Sequence, residues 1–118
     1  MRLLFDQNLP HDLRDLLADH DIKVAVELGW ETLANGGLLE AAERAGFDAI
    51  LTADQSIKYQ QRLAGRRIAL VVLSTNHWPT LEANGGIILQ ALERVIDGGY
   101  QEVTLARRKL RRRPPPGR

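Results

Sequence analysis

Six consecutive apolar residues, "IALVVL" at 68–73, constrain the fold of this chain more than any other stretch. They are far too few for a membrane span, which needs roughly 18. As a short, β-branched run they fit a strand buried on both faces, and such a strand needs helices above and below it. The run at 49–51 inside "DAILTAD" has the same character. "RLLF" (2–5) reads as a first strand and "IKVAV" (22–26), alternating and β-branched, as a second. Between these runs lie segments of helical period. Leu9, Leu13, Leu16 and Leu17 mark one over 9–20, with Pro10 acceptable in a first turn. "LLEAAERAG" (38–46) is a second, stopped by Gly46, and "QSIKYQQRLAG" (55–65) a third. "IILQALERVIDGG" (87–99) gathers Ile87, Ile88, Ala91, Leu92, Val95 and Ile96 on one face. "ELGWETLANGG" (27–37) and "TNHWPTLEANGG" (75–86) read as loops, and "YQEVTLA" (100–106) as a last edge strand. Strand and helix in alternation predict an α/β fold, with a mostly parallel sheet of four to five strands between helical layers.

The 118 residues suffice for one domain with a single core, placed here at 1–106. There are no cysteines, which removes disulfides and thiolate metal sites from consideration. No basic segment followed by an apolar stretch opens the chain, so the expectation is a soluble, cytoplasmic protein without a membrane partner. Seven of the 16 Lys and Arg residues lie in "RRKLRRRPPPGR" (107–118), which contains no acid. The remaining nine face all 15 acids, so the body carries a charge of about −6. A basic, Pro-rich tail on an acidic body reads either as a disordered, solvated terminus or as an element attracted to a polyanion or to the body's own acids.

In an open parallel sheet, ligands bind beyond the carboxyl ends of the strands. The first strand ends at Asp6-Gln7-Asn8, the second at Glu27, the third at Thr52-Ala53-Asp54 and the fourth at Ser74-Thr75-Asn76. A parallel sheet would bring Asp6 and Asp54 to the same edge. Two neighbouring carboxylates raise each other's pKa, and a hard divalent cation relieves the repulsion. Magnesium commonly takes one or two protein carboxylates, keeps several waters and activates one for attack on phosphate. The alternative role for both acids is helix N-capping, since each precedes a helical segment.

"LLFDQNLPHDLRDLL", followed by "AERAGFDAILTADQSI" and "RIALVVL", resembles the small PIN-like domains of unknown function, often encoded as candidate toxins of bacterial toxin–antitoxin pairs. The likeness covers roughly residues 1–75. It implies a PIN-like three-layer α/β/α fold and a ribonuclease site using Mg2+ or Mn2+, with RNA as substrate and a cognate antitoxin as partner. A homodimer is also compatible with such a family. Asp6 and Asp54 match the family's acids after the first strand and after the strand preceding the last core strand, and would be both catalytic and metal-binding. A further acid falls at Asn35, and the neighbouring positions that are often acidic are Gln7 and Gln55-Ser56. An amide oxygen can ligate a hard cation but brings no charge to offset its dehydration. Glu40 or Glu27 could supply the missing charge, and Glu40 equally suits a solvated helix surface.

Gln7, Asn8, Gln55, Lys58, Tyr59, Arg62 and Asn76 form a candidate substrate-binding set, in which amides and cations would hold a phosphate backbone and Tyr59 would stack a base. The competing reading makes "KYQQR" a solvated helix face. Trp30 reads as a partner anchor or as a pin for its loop, and Trp78 as a stacking platform or a core residue. His11, His20 and His77 are too scattered for a metal triad. No phosphate-cradling glycine motif is present. Two functions compete: a metal-dependent ribonuclease, and a catalytically degenerate module that binds RNA or a protein partner. A phosphate-accepting receiver fits less well, because the paired acids it needs early in the chain are absent.

Overall fold

The computed structural model describes residues 1–33, 35–55, 63 and 65–106, without the side chain of Asn35. Among the described residues, five strands form one sheet: β1 (Arg2–Phe5), β2 (Asp21–Val24), β3 (Ala49–Thr52), β4 (Ala69–Leu73) and β5 (Tyr100–Val103). Every pairing is parallel and the order is β2-β1-β3-β4-β5. The expected "mostly parallel" sheet is therefore wholly parallel. Helices α1 (Leu13–Leu16), α2 (Asn35–Arg44), α3 (Trp78–Ala83) and α4 (Gly85–Glu93) flank it. No helix among the described residues is long and apolar enough to cross a membrane.

The side-chain alternation of the strands divides the core into two layers. Leu3, Phe5, Ala49, Leu51, Ala69, Val71 and Leu73 point to one face, where Leu13, Leu81, Ile88 and Leu92 of α1, α3 and α4 cover them. Leu4, Ile50, Leu70 and Val72 point to the other, against Leu38, Leu39 and Ala42 of α2. Burying one such Leu or Ile side chain contributes about 1.5–3 kcal/mol. The central strands are uniformly apolar because neither face meets water.

Five expectations about local structure change. The helix expected at 87–99 is α4 at Gly85–Glu93, and Ile87 and Ile96 are exposed instead of joining its apolar face. The segment at 9–20 keeps Leu9, Leu13 and Leu17 buried, but only Leu13–Leu16 is α-helical. Its surroundings turn through bonds spanning three residues, as from the Leu13 N–H to the Pro10 carbonyl (3.2 Å) and from the His20 N–H to the Leu17 carbonyl (3.0 Å). The second strand stops at Val24, not Glu27, and Ala25–Leu28 forms a 3-10 turn. That turn closes because the Glu27 carboxylate accepts the Val24 N–H at 2.8 Å while paired with Arg14. The loop expected at 27–37 ends early, since α2 begins at Asn35. The loop expected at 75–86 contains α3, started by Pro79 in its first turn and anchored by buried Thr80 and Leu81. Gly46, with φ +85°, provides the expected end to the helix at 38–46. The helix expected at 55–65 falls largely outside the described residues.

Candidate active site

The order β2-β1-β3-β4-β5 reverses the direction of winding between β1 and β3. At such a switch point the flanking connections leave toward opposite faces, opening a crevice at the strands' carboxyl ends. Phe5 pairs with Leu51 at the last β1–β3 register position. The Asp6 N–H extends this ladder by one bond, to the Leu51 carbonyl at 2.9 Å. Asp6 thus follows the strand without belonging to it, and lies opposite Thr52.

Thr52 is fully buried, and its hydroxyl joins the two candidate acids. It donates to Asp6 Oδ2 at 2.8 Å and accepts the Asp54 N–H at 3.1 Å. Asp6 Oδ1 accepts the Gln7 N–H at 2.7 Å. Both Asp6 oxygens are held by neutral donors, so the carboxylate is oriented without being neutralised. Each oxygen keeps a lone pair for a further ligand. Asp6 and Asp54 line one cavity of about 300 Å³ with Gln7, Asn8, Trp30, Glu31 and Leu33.

The chain positions Trp30 through the 3-10 turn. Gly29 takes φ +74°, a left-handed conformation natural to glycine, and the Trp30 N–H then returns to the Ala25 carbonyl at 3.0 Å. The Trp30 ring meets Phe47 edge to face, with centroids 6.2 Å apart at 75°. Trp30 is therefore both a pin for its loop and a wall of the cleft. Trp78 packs against the core on the other face of the sheet.

The amides bind the rim together. Gln55 Nε2 donates to the Ala53 carbonyl at 3.1 Å and also to the Leu73 carbonyl, tying the end of β3 to β4. Asn76 Nδ2 donates to the Asn8 carbonyl at 3.1 Å, tying the end of β4 to β1. A carboxylate at either position could not donate these bonds. Asn8 Oδ1 is buried and accepts no hydrogen bond among the described residues.

The two alternative acids lie elsewhere. Glu40 pairs with Arg44 one turn along α2 (2.9 Å), is exposed, and is not among the cavity's lining residues. Glu27 accepts from Arg14 at 2.8 Å and from the Val24 N–H; the Arg14 hydrogen bond, then that of Val24, lowers its pKa to about 2. Lys58, Tyr59 and Arg62, the side chain of Asn35 and the tail at 107–118 lie outside the described residues.

Glu31 and Leu33 line the cleft and the buried Thr52 joins its two acids from beneath, although no motif marks them. A signal for Thr52 does exist: it occupies a strand position whose parity points into the core, where a hydroxyl needs a partner. Glu31 and Leu33 carry no comparable signal, because a loop has no period.

The donor chemistry of the cleft suits a hard divalent cation: the strand-end carboxylates Asp6 and Asp54, a third carboxylate on Glu31, and the Asn8 amide oxygen, which has no partner among the described residues. Among the described residues, no group of three or more His, Asp or Glu side chains is arranged to hold a metal. Two carboxylates nevertheless match magnesium's habit of completing its shell with water and substrate phosphate. Comparisons with protein-family models, curated proteins and solved structures find no match for this chain.

Proposed function

We propose that this protein is a metal-dependent ribonuclease of the PIN-like type, using Mg2+ or Mn2+ and acting as the toxin of a toxin–antitoxin pair. The observation that carries the reading is that Asp6 and Asp54 line one cleft at the β1–β3 switch point, coupled through the Thr52 hydroxyl. Asp6 and Asp54 would hold the cation, with Asn8 Oδ1 as a neutral third oxygen. The bound cation would supply an activated water and charge stabilisation at phosphorus. The residues' own part is orientation. Thr52 and the Gln7 N–H hold the Asp6 carboxylate without a counter-charge, leaving its negative charge available. The toxin assignment, the antitoxin partner and a cytoplasmic location rest on the sequence resemblance.

Isothermal titration of manganese, with Asp6→Asn and Asp54→Asn as controls, tests the reading. Manganese binding to the parent, lost in both variants, together with manganese-dependent cleavage of single-stranded RNA, supports it. Cleavage unchanged in Asp54→Asn assigns the activity to a contaminant.

The bonding of Gln55 favours a second reading. Its amide donates to two main-chain carbonyls, a scaffold role unavailable to an acid. Such a cleft would belong to a catalytically degenerate module that binds RNA or a protein partner, with residues 107–118 supplying phosphate contacts. That module would show salt-sensitive binding without turnover, weakened by neutralising the tail.

A further inference from the structure

We infer that the cleft beside Asp6 and Asp54 is a base-recognition subsite for single-stranded RNA: Trp30 and Leu33 wall it, and Glu31 selects bases that carry an exocyclic amine. The inference rests on the ribonuclease reading, in which the cation on Asp6 and Asp54 receives the phosphate and leaves the rest of the cleft to the adjoining nucleotide.

The cavity, about 300 Å³, lies at the small end of ligand pockets and suits one nucleotide, not a duplex. Its lining has two chemistries. Leu33, 39% exposed, and the partly buried Trp30 offer apolar surface, with Leu38 and Ala25 buried beneath them. A ligand lying against Leu33 and the partly exposed Trp30 would remove apolar surface from water. A nucleobase has the flat, π-faced surface that covers such a wall. Trp30 is suited to this because Phe47 braces its ring and the Trp30 N–H bond to Ala25 fixes its backbone.

The polar part of the lining discriminates among bases. Glu31 has no hydrogen bond or ion pair among the described residues, and an ionised carboxylate only accepts. Cytosine presents its N4 amine, adenine its N6 amine and guanine its N2 amine, whereas uracil offers an acceptor only its N3–H, flanked by the carbonyls O2 and O4 that repel a carboxylate. An apolar peptide side chain in the same place would leave Glu31 desolvated and unpaired. A guanidinium would pair with the acids but would compete with the cation for them.

The test is binding of oligocytidylate and oligouridylate pentamers with 3′-methylenephosphonate linkages, whose P–C bond activated water cannot displace, to the full chain in manganese, followed by tryptophan fluorescence and calorimetry. Oligocytidylate should bind about tenfold more tightly than oligouridylate. Glu31→Gln, whose amide both donates and accepts, should level the two. Trp30→Ala should weaken oligocytidylate between about fivefold and a hundredfold, the range of one lost base stack. Trp30→Phe, which retains a ring against Phe47, should recover most of the affinity and guards against misfolding. Equal affinity for the two pentamers, or an unchanged affinity in Trp30→Ala, overturns the inference. So does a cleft that ignores both pentamers yet binds an arginine-rich peptide through Trp30. Manganese titration of Asp54→Asn separates the two claims. If the parent binds no manganese but keeps Trp30-dependent base preference, the subsite stands and the ribonuclease reading falls.

Discussion

The two ends of the sheet carry acids in contrasting surroundings. At the amino end, Asp48 accepts the Arg2 N–H at 2.7 Å and Asp21 pairs with Arg2 Nε at 3.4 Å. Glu43 accepts from Arg66 at 2.6 Å and from the Arg67 N–H at 2.8 Å. The Arg67 backbone bond, opposed by burial and aided by Arg66, holds the Glu43 carboxyl below its usual range. The Arg2 guanidinium also lies 4.5 Å from the centre of the Phe47 ring. A cavity of about 230 Å³ lies there, but the backbone N–H groups of Arg2 and Arg67 and the Arg66 guanidinium already serve Asp48 and Glu43 in its lining. At the carboxyl end, the partners of Asp6 among the described residues are a hydroxyl and a backbone N–H. Both ends contain acids and a hollow. Asp21 and Glu43 are compensated by arginines, whereas Asp6, oriented by neutral donors, has no counter-charge among the described residues.

The contrast can be broken most directly at the carboxyl end. Asp54→Asn and Asp6→Asn should each reduce metal-dependent cleavage by at least about a hundredfold, beyond the ten- to hundredfold typical of outer partners. Thermal unfolding should stay within about 1 kcal/mol of the parent in both. If stability collapses while cleavage persists, the acids are structural and the two ends are alike. Thr52→Val comes next. It removes the buried hydroxyl that orients Asp6, and should cost about 1–2 kcal/mol in denaturant unfolding together with roughly tenfold in metal affinity.

The amino end should respond in stability alone. Glu43→Ala removes the acceptor of Arg66 and of the Arg67 N–H, and should cost about 1–2 kcal/mol while leaving the manganese isotherm unchanged. A pH series sharpens the same point at Glu27. Its carboxyl titrates near 2 in the folded chain against an ordinary 4.5. Its stabilising contribution is therefore complete above about 4.5 and is lost as pH falls from there through 2. Glu27→Gln should flatten that part of the melting-temperature profile, and an unaltered profile would show that the Arg14 pair contributes nothing measurable. The smallest effect belongs to Glu40→Gln. Breaking its exposed pair with Arg44 should change stability by a few tenths of a kcal/mol. A loss of manganese affinity in that variant would return Glu40 to the metal site.

Much of this architecture was legible in local pattern. The runs at 49–51 and 68–73 marked the doubly covered strands, and Asp6 and Asp54 were recognisable as strand-end acids before any fold was available. Other features were hidden for physical reasons. The period of Leu9, Leu13 and Leu17 reports which residues face the core, and tight three-residue turns satisfy it as well as an α-helix does. The polar surface of α3 looks like a loop because only Thr80 and Leu81 of its six residues are fully buried. Val26 continues the pattern of β2, but the Glu27 bond to Val24 ends the strand first.

The layered α/β class, the two-faced core and the carboxylates at the ends of the first and third strands are encoded in side-chain alternation and residue type, which are local properties. The adjacency of β1 and β3, the link of Asp6 to Asp54 through Thr52, and the shared cleft of Trp30, Glu31 and Leu33 arise from the folded chain. The hydroxyl of Thr52 and the carboxylate of Asp6 are 46 residues apart in the chain. Their meeting depends on strand order, which is set by how the whole apolar surface is best buried and is written in no single segment.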